Sequence, residues 1–274
     1  MTNHDSGRIA FIGGGNMASA IIGGLVKQGR PAGRIAVVEP FAEARRRLQQ
    51  QFGVVADEAA GAGLADATLV VWAVKPQTFK DAAAAARPHV QRALHLSVAA
   101  GIRTDSIAQW LGTERIVRSM PNTPALVGQG MTALFARGAA SLDDKARVEQ
   151  VIATTGESLW VEREEQLDAV TALSGSGPAY VFYFLEAMVQ AGGEMGLSAE
   201  QARRLAVGTF AGASALARAS DEPLQLLRER VTSKGGTTYA ALTSLERDHV
   251  KVSFVKALHA ARKRAAELGD EFGH

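Results

Sequence analysis

The sequence predicts an α/β protein, with a doubly wound, mostly parallel sheet in the N-terminal half and an all-α bundle in the C-terminal half. Three observations predict it. Short, near-continuous apolar runs alternate with Ala-rich helical stretches over the first 160 or so residues, the pattern of a parallel sheet covered on both faces. After about residue 163 the β-type runs stop, and apolar residues recur at three- and four-residue intervals. The first strand runs into a glycine-rich turn that opens directly into a helix.

In chain order, the strands expected are RIAFIG (8–13), RIAVVE (34–39), VV (54–55), TLVVWAV (68–74), ALHLSV (93–98) and RIVRSM (115–120). MTALFA (131–136) and ESLWVE (157–162) complete the set. Residues 42–52, 79–90 and 143–154 read as helices between them. The charged run EREEQLD (162–168) reads as a junction, giving a dinucleotide-binding domain over 1–163 and a helical substrate-binding and dimerisation domain over 164–274. In the second half, Tyr180, Phe184, Ala187, Ala191 and Met195 form one apolar stripe. Phe254, Leu258, Ala261, Ala265 and Leu268 form another. Two such stripes exceed what a domain of that size needs for its own core, which points to a homodimer through these helices and leaves higher assembly open.

Composition removes several classes of function. With 274 residues, 47% hydrophobic and 21% charged, the chain has an ordinary globular profile. A net charge of +2 gives no reason to expect nucleic acid, and Arg45-Arg46-Arg47 and Arg262-Lys263-Arg264 read as solvated helix faces. The absence of cysteine removes disulfides, thiolate nucleophiles and cysteine-held metals. MTNHDSGR has no apolar signal core, and no run approaches the roughly 20 residues of a membrane span. A cytoplasmic protein without membrane contact is expected. The six histidines show no metal-ligand spacing, so no metal is expected.

The segment RIAFIGGGNMASAIIGGLVKQG reads strand, turn, helix, with G-x-G-x-x-A at Gly13, Gly15 and Ala18. Gly13 permits the tight turn, Gly15 lets the backbone approach a pyrophosphate, and Ala18 lets the helix pack on the strand. The helix N-terminus, at Asn16 and Met17, offers amides and a positive dipole end to phosphates. These features make the sheet Rossmann-type and the cofactor NADP(H) or NAD(H). Glu39 ends the second strand, where an acid can accept from a ribose 2′-hydroxyl. Arg45 and Arg46 follow within reach of a 2′-phosphate, and the choice between the two cofactors stays open. The loop AVKPQ (Ala73, Val74, Lys75, Pro76, Gln77) leaves the fourth strand, with Pro76 ending it. SMPNTPALVGQG, with Pro121 and Asn122, leaves the sixth. Both fall at the carboxyl edge, where ligands of open α/β sheets bind.

Taken in order, IGGGNMASAIIGGL, AVKPQ, RSMPNTPALVGQGMTAL, ALSGSGPAYVFYFLEAM and VTSKGGTTYAAL resemble the Δ1-pyrroline-5-carboxylate reductase family over roughly residues 8–268. The resemblance implies hydride transfer from NAD(P)H to the C=N bond of a cyclic imino acid, giving L-proline. It also implies a helical C-terminal domain through which subunits dimerise.

The residues of VTSKGGTTYAAL support that chemistry. Gly235-Gly236, followed by Thr237-Thr238 and a helical pattern, places free amides at a helix N-terminus, where a carboxylate fits. Ser233 and Thr238 add hydroxyls. The resemblance assigns the substrate carboxylate to Ser233, Gly235, Gly236, Thr237 and Thr238, and makes Thr238 the contact to the ring nitrogen and the expected catalytic residue. It places Ser176, in a glycine-serine turn before Pro178, near the same pocket; helix capping would explain Ser176 equally well.

Two departures from the family pattern stand out: Lys234 where proline is common, and RDHVKVS (247–253) where a glycine is expected before the last helix. No histidine lies in the glycine-serine motifs. An imine nitrogen can take its proton before hydride arrives, whereas a ketone needs an enzymic acid, so the missing acid favours C=N over C=O. Two alternatives remain: a β-hydroxyacid-dehydrogenase-like oxidoreductase, whose lysine after the turn at 174–178 is missing here, and a catalytically silent NAD(P)-binding regulator.

Overall fold

A computed structural model of the chain describes residues 7–273; His4, the rest of the N-terminal hexapeptide and His274 lie outside the described residues. Among the described residues eight strands form one sheet: β1 (Arg8–Ile12), β2 (Ile35–Val38), β3 (Ala56–Asp57), β4 (Ala67–Trp72), β5 (Leu94–Ser97), β6 (Ile116–Met120), β7 (Gly130–Ala136) and β8 (Gly156–Trp160). Their order is β3-β2-β1-β4-β5-β6-β7-β8, so the winding reverses between β1 and β4. The first six strands run parallel. β7 pairs antiparallel with β6 and β8 pairs parallel with β7.

Alternation along β1 builds two cores. Ile9 and Phe11 face one side with Ile21, Ile22, Leu48 and Val148, from α1 (Asn16–Lys27), α2 (Ala42–Phe52) and α5 (Leu142–Ile152). Ala10 and Ile12 face the other side with Phe79, Ala83, Ile107 and Leu111, from α3 (Pro76–Ala86) and α4 (Thr104–Leu111). Burial on both faces is why these strands are apolar throughout rather than alternating.

Three expectations need correcting. The third strand lies at 56–57, because Val54 is spent as a fully buried plug after the Gly53 cap of α2, leaving Val55 exposed. The third helix begins at Pro76, whose missing N–H costs nothing at the first helical position. It ends at Ala86, before Pro88 forces a tighter turn. Helix α4 was not anticipated. Its short amphipathic pattern, Ile107 and Leu111 inward, is broken at both ends by loops.

Two compact units result, one running to Ser176 and taking in Ala261 onward, the other Gly177–Ala260. The sheet unit thus continues past the expected junction at 163/164. The run EREEQLD is not a solvated linker. Glu164 accepts from the Thr104 amide at 2.8 Å and hydroxyl at 2.6 Å and pairs with Arg118 at 2.8 Å. Asp168 pairs with Arg103 at 3.2 Å, and Leu167 is fully buried in α6 (Gln166–Val170).

The second unit is helical: α7 (Gly177–Glu194), α8 (Ala199–Arg218), α9 (Leu224–Arg230), α10 (Thr237–Arg247) and the first half of α11 (Val250–Glu271). Gly192 lets α7 close on α8, since a Cβ there would lie 2.8 Å from that of Ala202. Tyr180 and Phe184 both pack edge-on against Phe254, with ring centroids 5.6 Å apart. Met195 ends the first stripe fully out in solvent, and Ala265 and Leu268 of the second pack within the sheet unit instead. Among the described residues no helix is long and apolar enough to cross a membrane.

Candidate active site

The turn after β1 accounts for each of its glycines differently. Gly13 has φ +96°, and a Cβ there would lie 2.5 Å from the Ala73 carbonyl oxygen, so only glycine fits. Its amide donates to the Val38 carbonyl at 2.8 Å. Gly15 is exposed with nothing within 4 Å of a would-be Cβ, an open approach to the backbone. Among the described residues the amides of Gly15, Asn16 and Met17 have no acceptor, while Ala18 is wholly buried on the strand. Those donors, at the positive end of α1, are what an anion would use.

Glu39 does something the sequence did not disclose. Its carboxylate accepts from the Gly14 amide at 2.7 Å and from the Phe41 amide at 2.9 Å, and the residue is 6% exposed. The acid expected to read a ribose is thus engaged, with both oxygens, in holding the glycine turn to the end of β2. Arg45, expected on a solvated face, donates to the Glu39 and Pro40 carbonyls at 2.9 and 2.7 Å and pairs with Glu58. Arg46 is exposed.

The loop after β4 lies beside this turn. The Ala73 amide donates to the Ile12 carbonyl at 2.8 Å, and Val74 lies within 3.1 Å of a would-be Cβ on Gly13. The strand has already ended at Trp72, so Pro76 starts α3 rather than stopping β4, with exposed Lys75 as its N-terminal cap. Lys75 makes no ion pair among the described residues, and a cation at a helix N-terminus is electrostatically misplaced unless an anion joins it. The loop after β6 carries buried Pro121 and then Asn122, whose side-chain oxygen accepts from the Met131 amide at 2.9 Å. Its NH₂ group donates to the Ser174 carbonyl at 3.2 Å. The short turn Thr123–Val127 that follows packs against α1.

The expected glycine-serine turn before α7 is absent. Helical turns continue from α6 through a π-helical turn (Thr171–Gly175) and a bend at Ser176 into α7. The Ser176 amide reaches back to the Thr171 carbonyl at 2.8 Å, and Pro178 is the second residue of α7 rather than the start of a fresh helix.

In the helical unit, Gly235 turns at φ +74° and the Gly236 amide closes onto the Ser233 carbonyl at 3.0 Å. Gly236 is therefore not a free donor, and a Cβ on it would meet the Ser233 hydroxyl at 2.5 Å. It is the N-cap of α10 with no side-chain bond. Among the described residues the Thr237 and Thr238 amides have no acceptor. Thr238 is half-buried; Ser233, Lys234 and Thr237 are exposed. Among the described residues no three of His, Cys, Asp and Glu gather as metal ligands.

Known proteins fix what this arrangement belongs to. A family model described as pyrroline-5-carboxylate reductase dimerisation matches residues 164–268, and one for coenzyme F420-dependent NADP oxidoreductases matches residues 8–101. A pyrroline-5-carboxylate reductase of Pseudomonas aeruginosa is 44% identical over 97% of this chain and 98% of its own length. The chain belongs to the pyrroline-5-carboxylate reductase family. Another, from Pisum sativum, is 36% identical over 96% of the chain and 97% of its own length. The Coxiella burnetii pyrroline-5-carboxylate reductase structure superposes with a TM-score of 0.90 at 38% identity, covering 96% of this chain and 99% of that one. The Plasmodium falciparum enzyme, solved with NADP bound, gives 0.86 at 28% identity, covering 96% and 98%. As a pyrroline-5-carboxylate reductase, the chain is an NAD(P)H-dependent oxidoreductase that reduces the C=N bond of 1-pyrroline-5-carboxylate to L-proline. The hydroxyacid-dehydrogenase and silent-regulator alternatives fall away, and the dimerisation match makes it a homo-oligomer.

Proposed function

We propose a division of labour for this reduction between two helix N-termini. The cofactor lies along the carboxyl edge of the sheet: its pyrophosphate takes the amides of Gly15, Asn16 and Met17, in the turn set by Gly13. The Ala73–Pro76 and Pro121–Asn122 loops flank it. Lys75 supplies a nearby positive charge, and Glu39 acts by shaping the turn. The imino acid's carboxylate takes the amides of Thr237 and Thr238, framed by Ser233, Gly235 and Gly236, and the Thr238 hydroxyl holds the ring nitrogen. Ser176 is the further residue assigned to the substrate.

Hydride adds to the carbon of the protonated C=N bond, and the π electrons settle on nitrogen to give the secondary amine. No enzymic acid is needed at that moment. The protein contributes orientation, which can supply several kcal/mol of the barrier. The observation that carries this reading is that the first amides of α10 stand without acceptors just beyond Gly236, whose own amide is turned back into the loop.

The Thr238→Ala enzyme tests it. Losing one hydrogen bond to a charged species, about 1.5–3 kcal/mol, should lower turnover roughly 10- to 100-fold with NADPH affinity intact. Undiminished turnover would remove Thr238 from the mechanism, and a proline complex with the carboxylate away from Thr237 would remove the cradle. A homodimer through the helical unit is supported by Phe182, Leu205, Leu216, Leu224 and Val252, all at least half exposed in the single chain. A cytoplasmic location is the companion reading, supported by the cysteine-free composition.

A further inference from the structure

Pro178 lies inside a helical run, and a proline there leaves a carbonyl without its partner. In an α-helix the carbonyl of Ser174 would be met by the N–H of residue 178, four positions on. Proline has no N–H. The segment answers in two ways. It widens into a π-helical turn, so that the Thr171 carbonyl is taken by the Ser176 amide at 2.8 Å. The Ser174 carbonyl is then met from outside the helix by the Asn122 side chain, at 3.2 Å and 52 positions away in sequence. The other end of the same amide is fixed by the Met131 amide at 2.9 Å, so Asn122 cannot turn away without losing both bonds. Gly175 completes the seat, because a Cβ there would lie 2.5 Å from the Met120 methyl.

We propose that Asn122 is a positioning residue for the reduction: it stands in for the N–H that Pro178 lacks and so fixes the bend that carries Ser176. Both polar atoms of its side chain are engaged by the protein, so the role assigned to it is exerted through that bend. π-Helical turns of this kind recur at functional sites, and here the turn sits at the carboxyl edge of the sheet, where β6 ends and β7 begins. The inference rests on the reading of Ser176 as a substrate residue.

Steady-state kinetics and NADPH binding by fluorescence test it on the full-length Asn122→Ala, Pro178→Ala and double-mutant enzymes. In Asn122→Ala, kcat at saturating NADPH should fall at least 10-fold while the Kd for NADPH stays within 2-fold. Adding Pro178→Ala restores a backbone N–H for Ser174, so the double mutant should recover at least 5-fold of that loss, a coupling that independent sites would not show. Hydrogen exchange should quicken over residues 171–178 in the single mutant and slow again in the double mutant. Should Asn122→Ala fail to fold, Asn122→Asp, which keeps the acceptor for Met131 and loses the donor to Ser174, carries the same comparison. An unchanged kcat, an absent rescue, or a Kd raised 10-fold with full kcat at saturation would each overturn the proposal. The last would make Asn122 a cofactor contact. A wild-type enzyme whose Ser176→Ala variant keeps full kcat and KM would instead overturn the underlying reading of Ser176.

Discussion

The Glu39 carboxylate accepts the Gly14 amide at 2.7 Å across 25 positions of sequence, tying the end of β2 to the turn that follows β1. An acid at this place in a dinucleotide fold is ordinarily read as a ribose ligand, yet this one is 6% exposed and also caps Phe41.

Removing it should therefore loosen the turn rather than switch the cofactor. Glu39→Ala leaves the buried Gly14 amide without an acceptor, a penalty of about 1–3 kcal/mol. Affinities for NADH and NADPH should both weaken, with their ratio changed less than about threefold. The measurement is a pair of binding isotherms. A ratio that swings tenfold toward NADPH would show that the carboxylate reads the ribose after all.

Glu164→Ala should be the most damaging change in the junction. Arg118 is 3% exposed, and Glu164 is the partner of both its guanidinium and Thr104. Breaking a buried pair from one side strands a charge, which typically destabilises by about 3–5 kcal/mol. The urea midpoint should fall steeply. Glu164→Gln, which keeps acceptors for Thr104, should lose less.

Local pattern made most of the sheet legible: seven of the eight strands overlap the runs expected for them, because most are buried on both faces and apolar enough to stand out, while the third lies at 56–57 and not at the expected 54–55. The helix N-termini at Gly13–Met17 and Gly236–Thr238 were legible because glycine is required where a Cβ would collide with Ala73 or Ser233. Contacts between distant positions were hidden. Nothing local announces that Glu39 bonds Gly14, that EREEQLD is pinned by Arg118 and Arg103, or that Asn122 supplies a donor to Ser174. The π-helical turn was misread for a related reason: glycine and serine beside proline spell a break, and only the outside donor lets the helix run through.

His95 predicts a pH dependence. It is buried on β5, its Nδ1 accepts from the Trp72 indole at 3.1 Å, and burial, assisted by Arg115 and opposed by a backbone bond to Val90, pushes its pKa down to about 4. The unfolded chain binds the proton near 6.5 and the folded one near 4. The stabilisation is thus complete above pH 6.5 and is lost as pH falls from there through 4, by roughly 3 kcal/mol in all. His95→Gln keeps an acceptor for Trp72 and cannot titrate. Its urea midpoint should decline less than the wild type's between pH 6.5 and 4.5, and parallel profiles would remove His95 as the cause.

His249 sits at φ +52° between α10 and α11, the described non-glycine residue with positive φ, where the family pattern leads one to expect glycine. The left-handed conformation costs an L-residue roughly 1–2 kcal/mol, and glycine would return about 0.5–1 of that through its greater freedom in the unfolded chain. His249→Gly should then stabilise the protein by about 0.5–1 kcal/mol. Because a homo-oligomer's stability depends on concentration, the comparison belongs at one fixed protein concentration, read as the urea midpoint. His249→Ala serves as the control, since it removes the imidazole and keeps the strained backbone. If alanine stabilised as much as glycine, the side chain and not the backbone would be the source of the strain.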